Sequence, residues 1–117
     1  MTETLPSRGE IWLANLNPAK GHEQSGIRPC LILSVDLFNH GPADLVIVVP
    51  LTTKHKSIPL HVKIDKGTGK LDKTSYAKSE DIRSISRNRL IKRIGSVNNR
   101  VMNEVLEKIK ILLDIRL

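Results

Sequence analysis

The chain has 117 residues, a single cysteine and a formal net charge of +7, a length that supports one modest core and therefore one domain spanning 1–117. One cysteine excludes an intrachain disulfide and fits a reducing, cytoplasmic setting, and with no apolar signal core at the N-terminus and no run near the ~20 residues of a membrane span, the chain reads as soluble and unexported. The charge is uneven: residues 51–100 carry thirteen basic against four acidic side chains, whereas residues 1–50 carry three against five, an asymmetry that favours a polyanionic partner.

In chain order, Glu10 to Leu16 and Pro29 to Ser34 are short apolar runs bounded by Pro or Gly, as strands are. Between them lies the loop Gly21-His22-Glu23-Gln24-Ser25-Gly26-Ile27-Arg28-Pro29. Its glycines admit backbone angles closed to other residues, so the imidazole, carboxylate, amide and guanidinium can turn inward together. Such a loop suits a phosphate ester, although polar loops by default simply cover sheet edges. Asp36 to Pro42 reads as a turn or a short helical turn, and Leu45 to Val49 as a buried strand with Pro50 marking its end or a bulge. Leu60 to Ile64 alternates with the period of a half-exposed strand, Lys66 to Lys73 is a loop, and a fifth strand is expected over Ser75 to Ile85. Leu90, Ile91 and Ile94 suggest a last short strand or turn. From Val101 to Leu113 the apolar residues recur at helical spacing behind Asn98 or Asn99 as N-cap, and Glu104 with Lys108 would add roughly 0.3 kcal/mol on the exposed side. The pattern gives a mainly β, α+β fold: a small, strongly bent antiparallel sheet or barrel with a C-terminal helix packed on it.

Two further polar clusters stand out. Thr52, Thr53 and Lys54 follow the buried strand and place two hydroxyls and a cation at its end. In Lys78-Ser79-Glu80-Asp81-Ile82-Arg83, strand alternation would send Lys78 and Glu80 to one face. His22, His40, His55 and His61 fall at no metal-ligand spacing, so neither metal nor cofactor is expected.

Arg8-Gly9-Glu10-Ile11-Trp12, the Gly21 to Pro29 loop, Val49-Pro50-Leu51-Thr52-Thr53, and Glu80-Asp81-Ile82-Arg83-Ser84-Ile85 with Arg89-Leu90, in that order and spacing, resemble the MazF/PemK/Kid toxin family. The resemblance implies an SH3-like or CcdB-like barrel of five to seven strands, a homodimer, and metal-independent, sequence-selective cleavage of single-stranded RNA that stops translation and growth. It places the family's catalytic arginine on Arg28 and its catalytic threonine on Thr52. His22 matches a histidine of the Kid-like branch, and the acidic and arginine positions of that branch fall on Glu80 and Lys78, with Glu for Asp and Lys for Arg.

RNA brings its own nucleophile, the 2′-hydroxyl, so the protein must take that proton, stabilise the phosphorane charge and protonate the leaving 5′-oxygen. Arg28 stays protonated and suits the charge; Thr52 would orient a phosphate oxygen; the base is one of Glu80, Glu23 and His22, in that order of preference. Gln24, Thr53, Lys54, Lys56, Lys78, Arg83, Arg87 and Arg89 are the candidate RNA contacts. Trp12, Phe38 and Tyr76 are the only Trp, Phe and Tyr, too few for a broad stacking platform. The implied partners are single-stranded RNA and a cognate antitoxin whose acidic flexible segment occupies the basic groove. Two other readings remain on the same barrel: a CcdB-like toxin that inhibits DNA gyrase through protein contacts, and a non-catalytic RNA-binding module.

Overall fold

A computed structural model describes residues 5–116. The chain forms β1 (Glu10–Asn15), β2 (Ile27–Ile32), α1 (Asp36–Asn39), β3 (Leu45–Thr52), β4 (His61–Ile64), β5 (Ser75–Lys78), β6 (Arg83–Ser86), β7 (Leu90–Ser96) and α2 (Asn99–Leu113). All pairings are antiparallel, in the order β4-β5-β3-β2-β1-β7, with β6 also on β3. The expected bent sheet with a C-terminal helix is therefore present, with seven strands.

Alternation along the strands divides the core in two. Ile11, Leu31, Val49, Leu51, Val62, Ile64 and Ala77 point to one face, where Val101, Met102, Val105 and Ile109 of α2 cover them. Trp12, Ala14, Leu16, Cys30, Ile32, Val46, Val48 and Ile85 form a second cluster on the opposite face. Asn98 caps α2 as its spacing suggested, its Oδ1 accepting from the Val101 amide at 3.0 Å. On the exposed side of the helix the ion pair is Glu107 with Lys110 at 3.4 Å, one turn from the anticipated Glu104 and Lys108.

Three boundaries depart from the sequence pattern, and each shapes the site. β2 begins at Ile27, so Arg28 is a strand residue paired with Ala14 rather than a loop residue. β3 runs through Pro50 to Thr52. Pro50 is tolerated because the β2·β3 ladder ends there, opposite Cys30, and β3 continues by pairing Leu51 and Thr52 with Ala77 and Tyr76 on its other edge. The anticipated strand over Ser75 to Ile85 is two strands, parted by a 3₁₀ turn at Ser79–Asp81. That turn lets one edge of β3 take β5 at one end and β6 at the other.

Candidate active site

The loop between β1 and β2 is closed at its neck, where Leu16 N donates to Gly26 O at 2.9 Å and Gly26 N to Asn17 Oδ1 at 3.0 Å. Gly26 has φ +84°, a value that admits this closure without strain. From the neck the loop reaches the Ser79–Asp81 turn. Gln24 N donates to Asp81 Oδ2 at 2.8 Å, and Arg83 Nη2 donates both to Gln24 O at 2.9 Å and to Asp81 Oδ2 at 2.7 Å. Lys78 Nζ completes the cluster, 3.2 Å from Gln24 Oε1 and 3.8 Å from Asp81 Oδ2. The side chains of Lys78, Asp81 and Arg83 are 13%, 14% and 17% exposed, so these are sheltered charges that fasten the loop.

Arg28 stands at the edge of this cluster. Its Nε donates to Ser25 O at 2.7 Å, which fixes the plane of the guanidinium, and among the described residues its Nη groups have no protein acceptor. Arg28 and Thr52 each lie two residues beyond the last β2·β3 pair, Cys30 with Pro50, and strand alternation puts both on the face away from α2. There β2 stays with β1 while β3 leaves for β5, so the two side chains flank the parting of the strands. Thr52 is 6% exposed, and its Oγ1 accepts from Lys54 N at 3.2 Å, which holds the hydroxyl oxygen at a turn and leaves its proton to donate.

Lys78 and Glu80 do not share a strand face as alternation would require. The 3₁₀ turn brings Lys78 and Asp81 together, three residues apart, and turns Glu80 toward β4. Glu80 Oε2 lies 2.7 Å from Nε2 of His61, whose side chain is 4% exposed. The buried side-chain atoms left without a hydrogen-bond partner among the described residues are His61 Nδ1, Ser79 Oγ, Glu80 Oε1 and Arg83 Nε, all in or against this one turn. Glu23 accepts from Lys20 N at 3.1 Å and approaches Arg83 Nη1 at 3.9 Å, and His22 is exposed beside it. Thr53, Lys54 and Lys56 are exposed on the loop after β3.

Arg87 and Arg89 are held by other partners, Arg87 at the end of α1 and Arg89 at the neck of the loop. Arg87 donates to Asn39 O at 2.7 Å and to Asp44 Oδ1 at 2.5 Å, and Arg89 donates to the carbonyls of Asn15 and Asn17. Arg87 also lines a groove of about 880 Å³ with Leu5, Trp12, Leu90 and Ile91. Trp12 is 6% exposed within the second core cluster, its Nε1 donating to Glu10 at 3.0 Å.

Asp81 and His61 carry no local sequence signal for these roles, since their partners lie 57 and 19 residues away. His55 is not among the Trp, Phe and Tyr that sequence offers as stacking residues, yet its ring stacks on Tyr76 with centroids 4.8 Å apart and a tilt of 35°. Among the described residues no three His, Cys, Asp or Glu side chains converge in a metal-binding arrangement, and no helix is long and apolar enough to cross a membrane.

Cys30 is fully buried between Arg28 and the second core cluster. Burial pushes its thiol up to about 12, against the attraction of Arg83 and with a smaller push from Asp81. The folded state therefore keeps this proton at pH values where the unfolded chain, with an ordinary value of 9.0, releases it. The expected result is a component of stability that is complete below pH 9 and is lost as pH rises toward about 12. Chemical denaturation of wild type and Cys30→Ala across that range tests it, because the variant must lack the component; parallel pH profiles would refute it.

A family model of PemK-like, MazF-like toxins of type II toxin-antitoxin systems matches residues 7–113. The chain is 38% identical over 107 residues to an endoribonuclease MazF of Staphylococcus saprophyticus, a match that covers 91% of this chain and 89% of that protein. Among solved structures, MazF of Deinococcus radiodurans matches with a TM-score of 0.87 and 28% identity, over 97% of this chain and all of the other. A MazE-MazF structure from the same organism matches with a TM-score of 0.81 and 27% identity, over 97% of this chain and 100% of that one.

Proposed function

The chain belongs to the PemK-like, MazF-like toxins of type II toxin-antitoxin systems, and from that premise we propose that it is an endoribonuclease that cleaves single-stranded RNA by attack of the 2′-hydroxyl. The observation that carries this reading is the placement of Arg28 and Thr52 on one face of the sheet, each just past the point where β2 and β3 part, beside a loop fastened by Asp81 and Arg83. A phosphodiester seated there would meet a fixed planar cation from one strand and a hydroxyl donor from the other.

In the proposed step the O2′–P bond forms, the P–O5′ bond breaks, and the products end in a 2′,3′-cyclic phosphate and a 5′-hydroxyl. Arg28 carries the charge that develops on the phosphorane, and Thr52 orients a non-bridging oxygen. Of the three candidate bases, Glu80 has the most firmly held carboxylate, through His61 at 2.7 Å, while Glu23 is engaged with the Lys20 amide and His22 is exposed. Glu80 is therefore assigned to take the 2′ proton. None of these roles requires a metal ion, because the guanidinium supplies the positive charge at the phosphate. Lys54 and Lys56, exposed beyond Thr52, follow the RNA backbone and make affinity salt-dependent.

The basic middle of the chain equally suits an antitoxin whose acidic flexible segment competes with RNA, and the MazE-MazF structures of Deinococcus radiodurans support such a partnership. A homodimer acting in the cytoplasm completes the reading. Incubating the purified protein with long single-stranded RNA in EDTA tests it. Discrete cuts bearing cyclic-phosphate ends are expected; intact RNA would overturn the proposal and favour a toxin that binds a protein target.

A further inference from the structure

His55 and Tyr76 form an aromatic pair beside the proposed phosphate site. Tyr76 is the cross-strand partner of Thr52, so their Cβ atoms are about 5 Å apart on the face away from α2. The chain leaves β3 at Thr52 and turns, with Lys54 N bonded back to Thr52 Oγ1, and this turn lays the ring of His55 on that of Tyr76 at 4.8 Å. Tyr76 is half-buried whereas His55 is exposed, so one face of the imidazole is backed and the other meets solvent. Exposed Lys54 and Lys56 flank it in sequence, so the chain order there is cation, flat ring, cation. That alternation matches the phosphate-base-phosphate order of a single strand.

We propose that His55, backed by Tyr76, is a stacking face for one nucleobase next to the phosphate held by Arg28 and Thr52, and that it contributes to the choice of cleavage site. Bases of single-stranded RNA are splayed and stack readily on aromatic rings, histidine included. Tyr76 limits the motion of the imidazole, so less ordering is required when the base arrives. The inference rests on the ribonuclease reading, because that reading puts a phosphate at Arg28.

The test compares wild type, His55→Ala and His55→Phe for binding to a fully 2′-O-methylated RNA carrying a sequence that the wild type cuts, or a mixed sequence if it cuts none. His55→Ala is expected to weaken binding about tenfold, and His55→Phe to restore most of the loss. Removing single bases along the RNA locates the contact: at one position the abasic change weakens wild-type binding about tenfold and His55→Ala binding not at all. With unmodified RNA, His55→Ala relaxes base preference at that same position in the sequenced cut sites. Equal affinity of His55→Ala and wild type, or no position at which the two changes couple, overturns the stacking assignment while cleavage by wild type leaves the ribonuclease reading standing. A wild type that binds but does not cut removes the ribonuclease reading alone, and one that does not bind removes both.

Discussion

Replacing Arg28 with alanine is expected to slow RNA cleavage by two to three orders of magnitude at saturating protein, the scale lost when a fixed donor to a developing oxyanion is removed. The fold should survive the change, because the side chain is half-buried and, among the described residues, its one hydrogen bond runs to the Ser25 carbonyl of its own loop. Arg28→Lys should recover only part of the rate. Lysine restores a charge but not a planar fork whose Nε is held by Ser25 while its Nη groups are left for the proposed phosphate. Single-turnover rates for the three proteins, read beside their thermal melting curves, check this. A variant that cuts within threefold of wild type would remove Arg28 from the chemistry, and one that fails to melt cooperatively would show that the residue serves the fold.

The largest expected effect on stability comes from a glycine far from the chemistry. Gly95 on β7 packs directly against the 3₁₀ turn at Thr68–Lys70, and a Cβ at residue 95 would lie 2.2 Å from the Gly69 carbonyl oxygen and 2.5 Å from its carbon. Gly69 cannot retreat, because its own Cβ position is 2.7 Å from Ile11 Cδ1 and 2.8 Å from the Ser96 oxygen. Every near neighbour of a Cβ at residue 95 is Gly69 backbone, so no side chain can rotate away to make room there. Gly95→Ala should therefore cost about 3 kcal/mol or more, above the usual range for a point substitution. Gly26→Ala is the natural comparison: its Cβ meets nothing within 4 Å, so only the φ of +84° opposes it, at about 1–2 kcal/mol. Urea titrations of the two variants should rank them in that order; equal losses would mean that the Gly69 turn yields to the added methyl.

Much of the scaffold is legible from local pattern. The apolar spacing of Val101 to Leu113 and the Asn98 cap define α2, and the bounded apolar runs define β1 and most of β3, because burial on one face imposes a period that survives in the sequence. Motif order likewise singles out Arg28 and Thr52 for the roles proposed above. The pattern fails at Ser79–Asp81, where every side chain is polar and alternation carries no burial signal. What breaks the strand there is the Ile82 N to Ser79 O bond of the turn together with Asp81's capture of the Gln24 amide, 57 residues away. Pro50 misleads for a related reason: its missing amide matters only if a neighbour needs it, and the place where β2 and β3 part cannot be read from either strand alone. His55 illustrates a third kind of failure, since stacking on Tyr76 depends on how the loop after Thr52 returns over β5.

The polar corner where His61, Ser79, Glu80 and Arg83 meet gives the evolutionary counterpart of that geometry. Among the described residues, four sheltered side-chain donors and acceptors without protein partners gather in or against this one turn, where unmet polarity costs stability. Apolar side chains of similar volume at His61 and Glu80 would tend to make the free domain sturdier. Selection for durability alone is therefore expected to erode this corner, whereas selection for the proposed cleavage is expected to keep it. Directed evolution can replay that contest: libraries at positions 61 and 80 sorted for thermal endurance should fill with aliphatic residues, and the same libraries sorted for toxicity should not.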